Sequence, residues 1–287
     1  MIKCIASDMD GTLLNSKEKI SEENKKVIEM AQAKGVEVVI ATGRSYKEAR
    51  HALDAAELKC SVISLNGAVV WDEEGNVVVS NPIGLDDFKK ARKLLDEYNL
   101  HYEIYTNEGT YTYSKDQSVA SLIDILVSAM PEINPLYIAE KANERFELDL
   151  VTLIDDYDQL YNIPDIEFYK LLVYSGNIPL LEEFGGKLKQ QTPLAISSSG
   201  PGNLEITSID AQKGKALSDF VAERKIDLSD TMAIGDSFND ISMFEKVGKP
   251  IAMGNAPVEI KQLCGEETLS NNENGVAKAI WKALNDK

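Results

Sequence analysis

The chain contains no apolar run that approaches the ~18 residues needed to cross a bilayer. The segment Met1–Asp8 introduces charge too early for a secretory signal. The three cysteines, Cys4, Cys60 and Cys264, lie far apart and form neither a CxxC pair nor a zinc-binding pattern. We therefore expect reduced, buried thiols in a cytoplasmic protein.

The sequence also lacks the signatures of several enzyme classes. It has no P-loop, no GxGxxG dinucleotide fingerprint and no HExxH zinc motif. Its two histidines, His51 and His101, show no partner pattern that would indicate catalysis or metal binding. Internal repeats and low-complexity tracts are absent as well, which favours an ordinary globular protein.

Acidic residues dominate the charge, since 47 Asp and Glu against 30 Lys and Arg give a formal net charge of −17. Such a surface repels nucleic-acid phosphates and anionic lipid headgroups, so we expect neither nucleic acid nor a membrane as partner. An enzyme acting on phosphates would need local positive charge to offset this field. With 287 residues, of which 44% are hydrophobic, the chain suits a large domain with an insertion or two domains.

Both ends of the chain alternate between predicted strands and helices. This alternation predicts an α/β fold, a Rossmann-like doubly wound parallel sheet with helices on both faces. The predicted strands are Ile2–Ser7, Val36–Ala41, Ser61–Leu65, Thr231–Ile234 and Pro250–Met253.

The middle of the chain mixes strand pairs with helices and predicts an inserted α+β module. One predicted hairpin joins Leu194–Ser199 to Asn203–Thr207 through the turn Gly200-Pro201-Gly202. We therefore predict a core domain formed by residues 1–81 and 209–287, with residues 82–208 inserted into it.

The acidic segment Asp8–Thr12 follows the first predicted strand directly. In an open parallel sheet, ligands bind at the carboxyl ends of the strands, so Asp8 and Asp10 could share a divalent cation there. A calcium loop of the EF-hand type is excluded, because glycine stands at the fourth position and Lys19 at the twelfth. An ordinary turn is the alternative for these residues taken alone.

Three further segments lie at predicted strand ends or helix starts. Thr42 and Gly43 follow the second strand, where a hydroxyl and backbone N–H groups at a helix N-terminus suit an anion. Gly235–Asp240 adds carboxylates after the Thr231–Ile234 strand, and Lys213 precedes a helix. Each could be a simple cap, turn or surface residue. Together they predict a site for a metal and a phosphate.

With these motifs the chain resembles the haloacid dehalogenase superfamily, in particular its Cof-type sugar-phosphatase-like subfamily IIB. The resemblance spans nearly the whole chain and implies an inserted α/β cap domain of the C2B type. The matching motifs, in order, are Asp8–Thr12, Ala41–Arg44, Lys213-Gly214 and Gly235–Asp240, and two recurrent loops resemble Asn66-Gly67-Ala68 and Gly254-Asn255-Ala256.

The resemblance implies a Mg²⁺-dependent phosphatase that hydrolyses a small phosphate monoester, a sugar phosphate or a phosphorylated cofactor. It implies that Asp8 is the nucleophile, forming a phospho-aspartate, and that Asp10 is the general acid and base. The implied metal ligands are Asp8, Asp236 and the backbone carbonyl of Asp10, with Asp240 or Asn239 in support. The implied substrate-binding residues are Met9, Thr42, Gly43, Lys213 and Asn239.

Two alternative functions stay open from the sequence. The chain could be a hexose phosphate mutase or phosphotransferase of the same superfamily. It could also be a non-catalytic phosphate-binding protein that keeps the fold without turnover. A monomer and a homodimer are both compatible with the sequence.

Overall fold

The computed structural model describes residues 2–129, 134–198 and 202–285, so Gly200 and Pro201 of the predicted hairpin turn lie outside the described residues. The chain divides into two compact units. We call Met1–Ser80 with Asp210–Lys287 the split unit, and Asn81–Ile209 the inserted unit. No helix in the described ranges combines the length and the apolar character needed to span a membrane.

The strands and helices are numbered here in chain order. The strands are β1 (Cys4–Asp8), β2 (Glu37–Ala41), β3 (Ser61–Ser64), β4 (Val69–Trp71), β5 (Val77–Ser80), β6 (His101–Thr106), β7 (Thr110–Thr112), β8 (Thr152–Leu153), β9 (Phe168–Tyr174), β10 (Ala195–Ser197), β11 (Asn203–Thr207), β12 (Thr231–Gly235) and β13 (Lys249–Ala252). The helices are α1 (Glu22–Ala33), α2 (Tyr46–Ala55), α3 (Leu85–Glu97), α4 (Lys115–Ala129), α5 (Pro135–Glu147), α6 (Ile178–Gln191), α7 (Lys213–Glu223), α8 (Ile241–Phe244), α9 (Val258–Cys264) and α10 (Gly275–Asn285).

The split unit is built on a seven-stranded sheet in the order β13-β12-β1-β2-β3-β4-β5. Strands β13, β12, β1, β2 and β3 run parallel to one another, whereas β4 pairs antiparallel with β3 and β5 antiparallel with β4. The chain runs outward from β1 in one direction through β2 and β3, and later in the other through β12 and β13. This reversal makes the carboxyl end of β1 the topological switch point, where ligands bind in such sheets. The predicted α/β class with a doubly wound parallel sheet is confirmed.

Helices cover both faces of this sheet, which explains why its central strands are mainly apolar. On one face, Ile28 of α1, Leu53 of α2 and Ile280 of α10 pack against the sheet. On the other face, Phe220 of α7 and Ile260 of α9 belong to a second buried cluster. Strand β1 lies between these layers and is buried at every residue.

Local caps set where two of these helices begin. The Ser21 hydroxyl accepts a hydrogen bond from the Asn24 backbone N–H and so caps the start of α1. Helix α2 begins at Tyr46, because Ser45 and Glu48 form a reciprocal capping box. Arg44 is therefore left in the loop between β2 and α2.

The inserted unit has a six-stranded sheet in the order β10-β11-β9-β6-β7-β8. Its pairs are antiparallel except for β7 with β8. One face carries an apolar core in which Phe88 of α3 and Phe184 of α6 pack against β6, β9 and β11. Alternate residues of the same strands instead place charged groups in buried positions, among them Glu103, Lys170 and Glu205.

Candidate active site

Three carboxylates meet at the carboxyl end of β1. Asp8 is the last residue of β1, while Asp236 and Asp240 belong to the loop after the neighbouring strand β12. One oxygen atom from each of these side chains lies within 4.8 Å of those from the other two. The parallel sheet therefore brings together residues that are more than 220 positions apart in sequence.

Lys213, the first residue of α7, links two of these carboxylates. Its Nζ donates to Asp8 Oδ1 at 2.6 Å and to Asp240 Oδ1 at 2.7 Å. Burial of Lys213 acts to lower the pKa of its ammonium, but the Asp240 and Asp8 charges outweigh burial and raise that pKa above its usual value. The lysine is thus a buried cation in direct contact with Asp8.

Asp240 has both carboxylate oxygens engaged by the protein. Oδ1 accepts from Lys213, and Oδ2 accepts from the backbone N–H groups of Asp236 at 3.0 Å and Ser237 at 3.1 Å. The side chain is fully buried. These contacts fix the loop after β12, and Asp240 therefore helps to position Asp236 and Lys213.

Asp236 is held by two side chains that the sequence analysis assigned no role. The Thr12 hydroxyl donates to its Oδ1 at 3.0 Å, and Asn255 Nδ2 donates to its Oδ2 at 3.2 Å. Gly11, at φ +75°, passes so close that a Cβ atom there would collide with the Asp236 carboxylate. Burial, followed by the charge of Asp240, raises the pKa of Asp236 to about 6.

Asp8 is almost completely buried, and its burial raises the pKa of its carboxyl well above the ordinary value. Lys213 opposes this effect, while the charges of Asp240 and Asp10 add to it. A group of carboxylates that repel each other in this way is the environment that a bound divalent cation relieves. Carboxylate oxygens are also the ligands that Mg²⁺ prefers, so the residues present fit that ion.

Asp10 lies outside this three-carboxylate cluster. Its side chain is 54% exposed and pairs with Arg44, whose Nη2 lies 2.6 Å from Asp10 Oδ1. The Arg44 Nε donates to both oxygens of the same carboxylate, at 3.1 Å and 2.9 Å. Asp10 is nevertheless near enough for its charge to act on the pKa of Asp8 and of Asp236.

The other predicted substrate-binding residues line adjacent loops. Thr42 is fully buried, and its hydroxyl accepts from the Arg44 backbone N–H at 3.1 Å. Met9 is also fully buried, which leaves only its backbone to contact a substrate. Thr42 therefore stabilises the loop between β2 and α2 in this structure, and a substrate would be its second partner.

Gly43 and Asn239 are connected through Asn66, a residue that sequence reasoning noted without giving it a role. The exposed Asn239 donates from Nδ2 to Asn66 Oδ1 at 3.3 Å. The same Asn66 oxygen would lie 3.2 Å from a Cβ atom at position 43, so glycine permits this close approach. Asn66 and Asn255 both lie in the recurrent loops quoted above, which is the signal that could have identified them.

Comparison with known proteins gives a consistent family assignment. A family model described as haloacid dehalogenase-like hydrolase matches residues 5–280. Phosphatase YwpJ of Bacillus subtilis is 36% identical over 288 residues, covering 99% of this chain and 100% of the relative. A second relative from the same organism, 5-amino-6-(5-phospho-D-ribitylamino)uracil phosphatase YwtE, is 34% identical and covers 99% of this chain and 98% of its own.

The solved structure of a haloacid dehalogenase-like hydrolase from B. subtilis has the same fold. It superposes with a TM-score of 0.87 at 34% sequence identity. The match covers 98% of this chain and 99% of that one, so both units are included in the similarity.

Proposed function

The chain belongs to the haloacid dehalogenase-like hydrolase family, and we propose that it is a Mg²⁺-dependent phosphatase forming a phospho-aspartate on Asp8. The observation that carries this proposal is the contact of a buried lysine, Lys213, with a buried carboxylate at the switch point of the sheet. Phosphatase is also the activity named for the two relatives described above.

The positive charge of Lys213 reduces the repulsion between the Asp8 carboxylate and the phosphate group of a substrate. A carboxylate and a phosphate dianion repel each other, so attack requires cations that neutralise both. Lys213 Nζ donates a hydrogen bond to Asp8 Oδ1, whereas no hydrogen-bond donor among the described residues contacts Asp8 Oδ2. We therefore assign Oδ2 as the attacking oxygen. A bound Mg²⁺, held by Asp8 and Asp236, would supply the remaining positive charge.

Asp10 is the candidate for proton transfer in both halves of the reaction. Its proton would pass to the oxygen of the leaving alcohol as the ester P–O bond breaks and Asp8 takes the phosphoryl group. In the second half, Asp10 would take a proton from water while the water oxygen attacks phosphorus and the bond to Asp8 breaks. The proton on Asp10 is restored at the end of the cycle.

The proposed substrate is a small phosphate monoester, either a sugar phosphate or a phosphorylated cofactor. The net charge of −17 disfavours polyanionic substrates. We assign the inserted unit the role of the cap domain. We further propose that the protein works in the cytoplasm as a monomer or a homodimer.

A screen of phosphorylated metabolites tests this function. With Mg²⁺ present, we expect inorganic phosphate to be released from a subset of small esters. Asp8→Asn should lose that activity while keeping its fold, and mass spectrometry of the wild-type protein should detect a phosphorylated Asp8. Full activity in Asp8→Asn would contradict the covalent role. Conversion of glucose 1-phosphate to glucose 6-phosphate without phosphate release would instead support the mutase alternative.

A further inference from the structure

The Arg44 guanidinium forms a bidentate set of hydrogen bonds with the Asp10 carboxylate. Asp10 Oδ1 accepts from Arg44 Nη2 at 2.6 Å and from Nε at 3.1 Å, whereas Oδ2 accepts only from Nε, at 2.9 Å. Two parallel contacts of this kind fix the plane of a carboxylate as well as its position. The two oxygens are thus engaged unequally, and Oδ2 is the one less engaged by the arginine.

Arg44 is the better anchored partner of the pair. Its backbone N–H donates to the Thr42 hydroxyl at 3.1 Å, and its carbonyl accepts from the Leu65 N–H at 2.9 Å. Its side chain is 27% exposed, against 54% for Asp10. The residue that follows, Ser45, begins the capping box of α2. A hydrogen-bonded loop therefore presents the guanidinium, and the more exposed carboxylate is the group that is held.

We propose that Arg44 is a positioning residue that holds Asp10 Oδ1 so that Oδ2 exchanges the proton with the leaving alcohol and with water. This proposal rests on the phosphatase function proposed above. The O–H bond of Oδ2 breaks as the alcohol leaves, and it forms again as water attacks the phospho-aspartate. Asp10 Oδ1 accepts hydrogen bonds whether or not Oδ2 carries the proton. The hydrogen bonds from Arg44 to Oδ1 therefore persist while the alcohol leaves and while water attacks.

The fork distinguishes arginine from lysine at this position. A lysine would keep the positive charge, yet its ammonium is a point donor and cannot hold the carboxylate plane in the same way. Arg44→Lys therefore separates positioning from charge. Arg50→Lys is the matched control, because it makes the same change in α2 at an ion pair with Asp54.

Pre-steady-state kinetics with two leaving groups test the assignment. One substrate is p-nitrophenyl phosphate, whose leaving phenolate needs little protonation, and the other is the most efficient alkyl phosphate from the screen. In Arg44→Lys we expect the rate of phospho-enzyme formation to fall by about 10-fold or more with the alkyl ester, which is part of the ~10²–10⁴ that general acid catalysis supplies. With p-nitrophenyl phosphate the same rate should change by less than about 3-fold, and Arg50→Lys should leave both rates unchanged.

Equal losses with both esters in Arg44→Lys would overturn the proposal, because they would place Arg44 in phosphate binding or in general stability. A second comparison uses Asp10→Asn. Once Asp10 cannot carry a proton, Arg44→Lys should cause no further loss with the alkyl ester, and additive losses would also contradict the assignment. Failure of the wild-type protein to release phosphate from any ester would refute the phosphatase function itself, which keeps the two failures distinct.

Discussion

In the absence of divalent metal, the unfolding free energy of this protein should fall as the pH rises from about 4 to above 6. The carboxyl of Asp236 has an ordinary pKa of 3.8 but a pKa of about 6 in the folded, metal-free chain. The folded state therefore binds this proton more tightly than the unfolded state does. Stability that depends on the bound proton is present below about pH 4 and is lost as pH rises through 6.

The size of this effect follows from the difference between the two pKa values, 3.8 and about 6. That difference corresponds to about 3 kcal/mol of unfolding free energy. The raised pKa of Asp8 acts in the same direction. For a domain of 150–250 residues, 3 kcal/mol shifts Tm by roughly 6–12 °C. Mg²⁺ binds the ionised carboxylates and should restore the loss at neutral pH.

Thermal melts with EDTA or with Mg²⁺, recorded at pH 5.0 and 7.5, measure this linkage. We expect Mg²⁺ to raise Tm several degrees more at pH 7.5 than at pH 5.0, because protons compete for the same oxygens at low pH. Asp236→Asn should lose most of the Mg²⁺ response and depend less on pH in EDTA. An equal Mg²⁺ effect at both pH values, or an unchanged response in Asp236→Asn, would refute the reasoning.

Four further substitutions test other contacts. Lys213→Met removes the cation from two buried carboxylates and should lower the unfolding free energy in urea by about 3–5 kcal/mol. Arg145→Met leaves its fully buried carboxylate partner uncompensated and should cost a similar amount, whereas Lys93→Met, at an exposed pair, should cost less than about 1 kcal/mol. Gly214→Ala drives a Cβ into the Ser242 backbone and should lower kcat, measured by phosphate release, by displacing the start of α7.

The parts of the fold that the sequence predicts are those whose signals are local. Apolar runs of four to six residues predict the parallel strands, and the hydroxyl of Ser21 marks the start of α1. Strand order then places Asp8 beside the loop after β12, because parallel strands share one edge. The convergence of distant carboxylates at that edge could therefore be anticipated without any coordinates.

Helix α6 shows where such local signals fail. Its sequence carries Pro179 near the start and Gly185 and Gly186 in the middle, and these glycines lower helix propensity. The proline is tolerated in the first turn, where its missing N–H has no partner to lose. The helix persists because Phe184 and Leu188 are buried in the apolar core of the inserted unit. Tertiary packing of this kind cannot be read from propensity.

The sequence also does not reveal which partner a long side chain will contact. The net charge of the candidate site depends on such contacts. With Asp8, Asp236 and Asp240 ionised and Lys213 counted, the cluster around Asp8 carries two negative charges. The charge of Asp10, which lies outside this cluster, does not add to them, because Arg44 reaches Asp10 and pairs with it. A divalent cation would make the cluster neutral, so that a phosphate dianion meets no net repulsion there despite the charge of −17 on the whole chain. On this reasoning Mg²⁺ is needed for the substrate to bind at all as well as for its reaction. KM in the screen should therefore rise steeply as Mg²⁺ is withdrawn. A loss of kcat at constant KM would contradict the claim that Mg²⁺ neutralises the cluster for substrate binding.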